Sequence, residues 1–345
     1  MSVVKTGPSR ADAVDKRRGA AGRVTPSQAR RAATISPPMA RRRSRLRNVI
    51  EFAFARTFLF GVQLMPAAML APTSRLLGRL LYRVISSRRK VVRENIRLAF
   101  GEGPDAPDPD RIGRASLAHL ALSFMELARL PRNPDRLKAR ITIPDPDALE
   151  RLQSAVKNGG AVIAGAHFGA YEVLGLASPL FGVPAASLVR PLDNPYLERW
   201  LQGARQRHGQ QLVDNRGGTR ELASYLDKGR MLGVMVDINR RSGRRMWVDF
   251  FGVPAATAPT AAVLAFRAQR PLFTIVSRRT GRPLEFEFQI GEPHLPRPNT
   301  DRDTEVQRLM QTVTDEIEQR VRSDPGQWLW THRRWKTRPE PQHEA

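Results

Sequence analysis

His167 and Glu172 are the side chains in this sequence best spaced to act together on a substrate. They belong to the stretch Gly165-Ala166-His167-Phe168-Gly169-Ala170-Tyr171-Glu172. A carboxylate bonded to one imidazole nitrogen fixes the ring's tautomer and raises the basicity of the other nitrogen. That second nitrogen can then take a proton from a substrate hydroxyl. Residues five apart on one continuous helix diverge by about 140° and do not meet. The pair therefore needs a strand end, a turn and a helix start. Ala161 to Ala166 is a short apolar run bounded by glycine, as a buried strand requires. Val173, Leu174, Leu176 and Ala177 resume at helical spacing, and Gly169 frees the backbone to turn. A histidine that caps a turn beside a surface glutamate fits the same residues.

Two more polar groups follow apolar runs of strand type. Arg190, in Arg190-Pro191-Leu192-Asp193-Asn194-Pro195, would emerge at a strand end, where a guanidinium can fork onto a phosphate or carboxylate. Asp193 and Asn194 also suit a helix cap. Asp237 follows Met231 to Val236 and could orient Arg190 or a substrate hydroxyl, or pair with the arginines beside it. Asp249 to Pro259 reads as an apolar loop, either lining an acyl-chain groove or simply packing. Trp328, Trp330 and Trp335 alternate with basic residues, a pattern suited to a membrane interface or to stacking on single-stranded nucleic acid. His119 lies in a helical pattern with no evident partner and reads as structural.

The elements around these residues alternate. Helical patterns cover 111–130, Asp145 to Lys157, Pro195 to His208, Thr219 to Asp227, Pro259 to Ala268 and Thr304 to Arg322. Strand patterns cover Ala185 to Val189, Gln211 to Val213, Met231 to Val236, Leu272 to Ser277 and Leu284 to Ile290. The order predicts an α/β fold, a mixed central sheet covered by helices. Upstream, Thr57 to Pro72 is 16 uncharged residues, short of the roughly 20 that span a bilayer. It reads as a short tilted span, a re-entrant segment or a core helix, with membrane insertion favoured. Residues 74–100 read as one amphipathic helix, with Arg75, Arg79 and Arg83 on a stripe beside Leu76, Leu77, Leu80 and Leu81. Packing of that helix on the protein's own core fits equally. The segments divide into a disordered basic arm (1–47), membrane-associated helices (48–100), a main domain (101–338) and a tail (339–345).

The formal charge of +24 calls for an anionic partner: lipid surface, phosphorylated substrate or nucleic acid. Residues 1–47 carry 13 Lys/Arg against 2 Asp/Glu, so more than half of the excess lies in the body of the chain. The absence of cysteine excludes a disulfide framework, a thiolate metal site and a cysteine nucleophile. There is no G-x-S-x-G elbow, phosphate-binding G-x-x-x-x-G-K-[ST] loop, H-E-x-x-H or G-x-G-x-x-G motif, and the six histidines lack metal-ligand spacing. No cofactor or metal is expected.

Four segments, taken in order and spacing, resemble the bacterial lipid A biosynthesis (late) acyltransferases, the lauroyl and myristoyl transferases. They are His167 to Glu172, Arg190 to Pro195, Val248 to Gly252 and Gln327 to Trp335, and the likeness covers roughly residues 50–338. The resemblance implies the α/β fold of glycerol-phosphate acyltransferases, held at the cytoplasmic face of the inner membrane by N-terminal hydrophobic helices. It implies a fatty acyl thioester donor on acyl carrier protein or coenzyme A, and a phosphorylated glycolipid acceptor. It assigns His167 as base, Glu172 as its orienter and Arg190 as the phosphate-binding residue. The family's Asn-Trp before the glutamate is Ala170-Tyr171 here, and its Asp-Gln pair is Asp237-Ile238. Both departures bear on the acceptor, so another glycolipid such as a phosphatidylinositol mannoside is the alternative. A basic nucleic-acid-binding protein is the alternative of another class, but no nucleic acid is expected as partner: that reading leaves the uncharged stretch and the His/Glu turn without a purpose.

Overall fold

The computed structural model describes residues 44–214 and 219–340. Most of the basic arm and the last residues of the tail lie outside them. Helices α1 (Arg45–Leu64), α2 (Leu70–Val84), α3 (Ser86–Phe100) and α4 (Pro109–Arg129) come first, then a short α5 (Pro134–Lys138) and strand β1 (Ile141–Thr142). There follow α6 (Pro146–Lys157), β2 (Ala161–Gly165), α7 (Tyr171–Ala177), β3 (Ala185–Val189), α8 (Pro195–Arg205), β4 (Gln211–Asp214), α9 (Thr219–Leu226) and β5 (Met231–Met235). A two-stranded hairpin, β6 (Met246–Phe250) and β7 (Val253–Thr257), precedes α10 (Thr260–Ala268), β8 (Leu272–Arg279), β9 (Phe286–Ile290) and α11 (Arg302–Ser323).

The main sheet has seven strands in the order β1-β9-β8-β2-β5-β3-β4. Strands β8, β2, β5, β3 and β4 run parallel, and β9 pairs antiparallel with β8. This is the mixed, helix-covered sheet that the alternating pattern predicts. All of β2 is buried, because both of its faces are covered. Val162 and Ala164 pack in one core with α10 and α11, while Ala161 and Ile163 pack in another with Leu152 and Val156 of α6. Proline follows the N-cap in α4, α6 and α8, where Asp108, Asp145 and Asn194 accept backbone N–H bonds.

The N-terminal helices depart from expectation in two ways. Residues 74–100 are not one helix: the chain breaks at Ile85 (φ −94°, ψ 76°), just before Ser86 and Ser87. In addition, the leucines of α2 are divided: Leu77 and Leu81 pack partly against the core, while Leu76 and Leu80 do not. Leu70, Ser74, Gly78 and Tyr82 pack inward, and a Cβ on Gly78 would sit 2.7 Å from the Ala118 backbone nitrogen of α4. Leu76, Leu80 and Val84 remain exposed beside Arg75, Arg79 and Arg83. Helix α1 likewise exposes Leu46, Ile50, Phe54, Phe60 and Leu64 along one face, with Asn48, Leu59 and Val62 buried opposite. Among the described residues no helix is long and apolar enough to cross a membrane.

The aromatic C-terminal segment is interior. Trp328, Trp330 and Trp335 are at most 3% exposed and pack with Phe250 and Phe251, so the interfacial and base-stacking readings of these tryptophans do not hold. Phe250 and Phe251 belong to the β6–β7 hairpin, not to an apolar loop lining a groove. Aromatic rings this close gain both area burial and edge-to-face contact, which outweighs any preference of tryptophan for an interface.

Candidate active site

Strands β2 and β5 are parallel neighbours, with Gly165 in register with Met235. Two residues beyond that pair, on the same edge of the sheet, stand His167 and Asp237. Asp237 is buried and accepts three bonds: Oδ2 from the His167 backbone N–H at 2.7 Å, Oδ2 from the Trp328 indole N–H at 2.9 Å, and Oδ1 from His167 Nδ1 at 2.9 Å. Bonding to a carboxylate assigns the proton to Nδ1, so in the neutral ring Nε2 keeps its lone pair. Among the described residues nothing bonds Nε2, and the His167 side chain remains 22% exposed. Burial disfavours charge on both groups, but their mutual attraction wins. The His167 pKa is raised above 6.5, and that of Asp237 falls from 3.8 to about 2.

The turn that carries His167 is gripped from two sides. Ala170 N–H donates to Ser277 O of β8 at 2.7 Å, and Gly169 N–H donates to Gln327 O at 3.0 Å. Leu329 N–H donates to His167 O at 3.1 Å. Gly169 has φ +57°, and a Cβ there would lie 2.0 Å from Ser277 O, so only glycine fits. Ser116 of α4 and Asn95 of α3 hold the other side of the Trp328–His332 segment through bonds to its carbonyls.

Glu172 does lie in the first turn of α7, as read from the sequence, but it does not bond the imidazole. Its carboxylate receives both Nε (2.8 Å) and Nη2 (2.7 Å) of Arg205 on α8, in a pair whose side chains are 6% and 15% exposed. The expectation that Glu172 directly orients His167 is thus corrected. The parallel register delivers Asp237 to Nδ1, while the helix start turns Glu172 toward the planar fork of α8. Glu172 still acts on His167 through space, its charge favouring the imidazolium. Asp237 bonds His167 and Trp328 rather than Arg190. Arg190 follows β3, the other neighbour of β5, and its side chain is exposed on the same edge of the sheet. His119 finds partners after all: it lies 3.3 Å from Arg279, inside a buried cluster with Glu126 and Ser123.

Arg205, Trp328 and Arg334 are site-supporting residues that sequence reasoning missed. Arg334 is 1% exposed and donates to Ala256 O and Thr257 Oγ1. Burial lowers its pKa to about 10, and the charge of Asp237 works against that fall. No local spacing marks these three residues, although Trp328 and Arg334 lie in the Trp/Arg segment singled out above.

An imidazole with one nitrogen held by a carboxylate and the other open can take a proton from a hydroxyl or water, and comparison with known proteins supplies the class. The chain is 27% identical over 269 residues to the lipid A biosynthesis lauroyltransferase of Escherichia coli K12, covering 76% of this chain and 84% of that protein. It is 24% identical over 261 residues to the palmitoleoyltransferase of the same organism, covering 74% and 81%. It is also 28% identical over 254 residues to the phosphatidylinositol mannoside acyltransferase of Mycolicibacterium smegmatis, covering 71% and 78%. The family model of the bacterial lipid A biosynthesis acyltransferases matches residues 37–337. The chain belongs to that family and is an acyl-transferring enzyme.

Proposed function

We propose that this enzyme moves a fatty acyl group from an acyl thioester, on acyl carrier protein or coenzyme A, to a hydroxyl of a lipid A precursor or related phosphorylated glycolipid. The observation that carries the reading is the His167–Asp237 pair at the strand ends, with Nε2 open, in a chain of this family. His167 Nε2 takes the hydroxyl proton as the oxygen attacks the thioester carbonyl. Asp237 stabilises the imidazolium that forms. The tetrahedral adduct then expels the thiolate, the C–S bond breaks, and the imidazolium returns its proton to sulfur. No acyl-enzyme is needed, in keeping with a chain that has no cysteine. Arg190 holds a phosphate of the acceptor, and Glu172 fixes Arg205 while adding negative field at the ring. The exposed apolar faces of α1 and α2, beside their arginines, support docking at the cytoplasmic face of the inner membrane.

The experiment is transfer by purified protein, read by mass spectrometry of the lipid product. His167→Ala should keep its fold and lose about a thousand-fold or more in kcat. Near-normal transfer by this variant would end the proposal. The phosphatidylinositol mannoside relative supports a second acceptor class, and offering both glycolipids to the same enzyme decides between them.

A further inference from the structure

Beside the catalytic pair lies a cavity of about 440 Å³ that the mechanism above does not use. Its lining includes Arg88, Arg241, Arg333 and Lys336, together with Ser87 and His332, and contains no carboxylate. None of the four cations pairs with an acidic side chain among the described residues. Elsewhere on this surface arginines do find carboxylates, as Arg93 does with Asp110. Ser87 and Arg88 lie in the first turn of α3, a helix of 15 residues whose N-terminus has no side-chain cap and no acidic residue.

The fold holds these charges together against their own repulsion. Asn239 and Thr337 exchange two hydrogen bonds, 3.1 and 3.3 Å, which tie the Asp237–Arg241 segment to the C-terminal segment. Arg88 donates to Thr331 O, and Asn95 of α3 donates to His332 O. The same two segments build the catalytic pair: Asn239 is two residues past Asp237, and Trp328 bonds the Asp237 carboxylate. His332 lies close enough to feel the charges of both Asp237 and His167.

We propose that this cavity is a phosphate-binding subsite, separate from Arg190, that takes a phosphodiester or diphosphate group of one substrate. Three arginines and a lysine lining one cavity, none with a carboxylate partner among the described residues, form a preorganised site for a multiply charged phosphate. The assignment rests on the acyl-transfer reading, in which a phosphopantetheine-linked donor and a phosphorylated acceptor both bring such a group.

The test uses the full chain and the variant Arg241→Ala/Lys336→Ala, whose positions are exposed and bond nothing in the catalytic pair. Titration calorimetry with pyrophosphate at low salt should show binding to the wild type that weakens at least ten-fold in the variant. Equal affinity in the two proteins overturns the site. Steady-state kinetics then identifies the source. A ten-fold rise in KM for the thioester, with kcat within three-fold, assigns the subsite to the donor, and the same rise for the glycolipid assigns it to the acceptor. Unchanged KM for both overturns the subsite as part of the substrate path. A wild type with no transfer activity would sink the proposed function, while the pyrophosphate titration would still decide this one.

Discussion

At the scale of single residues, the decisive contact is a carboxylate buried against an imidazole. Replacing Asp237 with Asn keeps the volume and removes the charge. The His167 pKa is now raised because Asp237 outweighs burial, so in the wild type kcat/KM should climb with pH through a value above 6.5. In Asp237→Asn, burial is left to dominate, the acid limb should move to lower pH, and kcat should fall by about a hundred- to ten-thousand-fold. Stability follows linkage with two opposite signs. The stabilisation through Asp237 is present above its ordinary 3.8 and is lost as pH falls toward about 2. The stabilisation through His167 is full below 6.5 and is lost as pH rises through its raised folded value. Glu172 belongs to a different contact and gives a different signature. Glu172→Ala strands the buried Arg205 and should cost about 3–5 kcal/mol in urea unfolding. Adding Arg205→Met should recover most of that loss, an outcome a direct Glu172–His167 bond would not produce.

At the scale of elements, the turn between β2 and α7 tolerates no side chain at Gly169. Gly169→Ala would force its Cβ against Ser277 O and hold a left-handed backbone; thermal unfolding should show a loss of about 2–3 kcal/mol. The same elements show what a sequence can reveal. Short apolar runs mark β2, β3 and β5, and thereby place His167, Arg190 and Asp237 at strand ends. Which strands lie side by side is another matter. Strand β5 inserts between β2 and β3, and that crossover order leaves no local trace. The partner of His167, 70 residues away, is therefore hidden from local spacing, although both residues stand out in the sequence. Arg205 was hidden for the same reason. The break at Ile85 had only the Ser86-Ser87 pair to announce it, within an otherwise continuous helical pattern. The tryptophans misled because their neighbours in sequence are charged while their neighbours in space are phenylalanines.

At the scale of the whole molecule, the exposed carbon is concentrated on α1 and α2, and the formal charge is strongly positive. Each large apolar side chain withdrawn from water contributes roughly 1.5–3 kcal/mol, and nearby arginines add attraction to anionic headgroups. The protein should sediment with anionic phospholipid vesicles. Phe54→Glu/Leu80→Glu should reduce that partition at least ten-fold while leaving thermal stability near wild type. Undiminished partition would assign membrane contact to another face. The grip on the His167 turn comes from late in the chain. His167 and Asp237 are synthesised long before Gln327, Trp328 and Leu329, which hold the turn and the aspartate in place. A nascent chain that has reached only β9 carries His167 and Asp237 but lacks the segment that aligns them. Alignment of this pair should therefore arrive abruptly and late in synthesis.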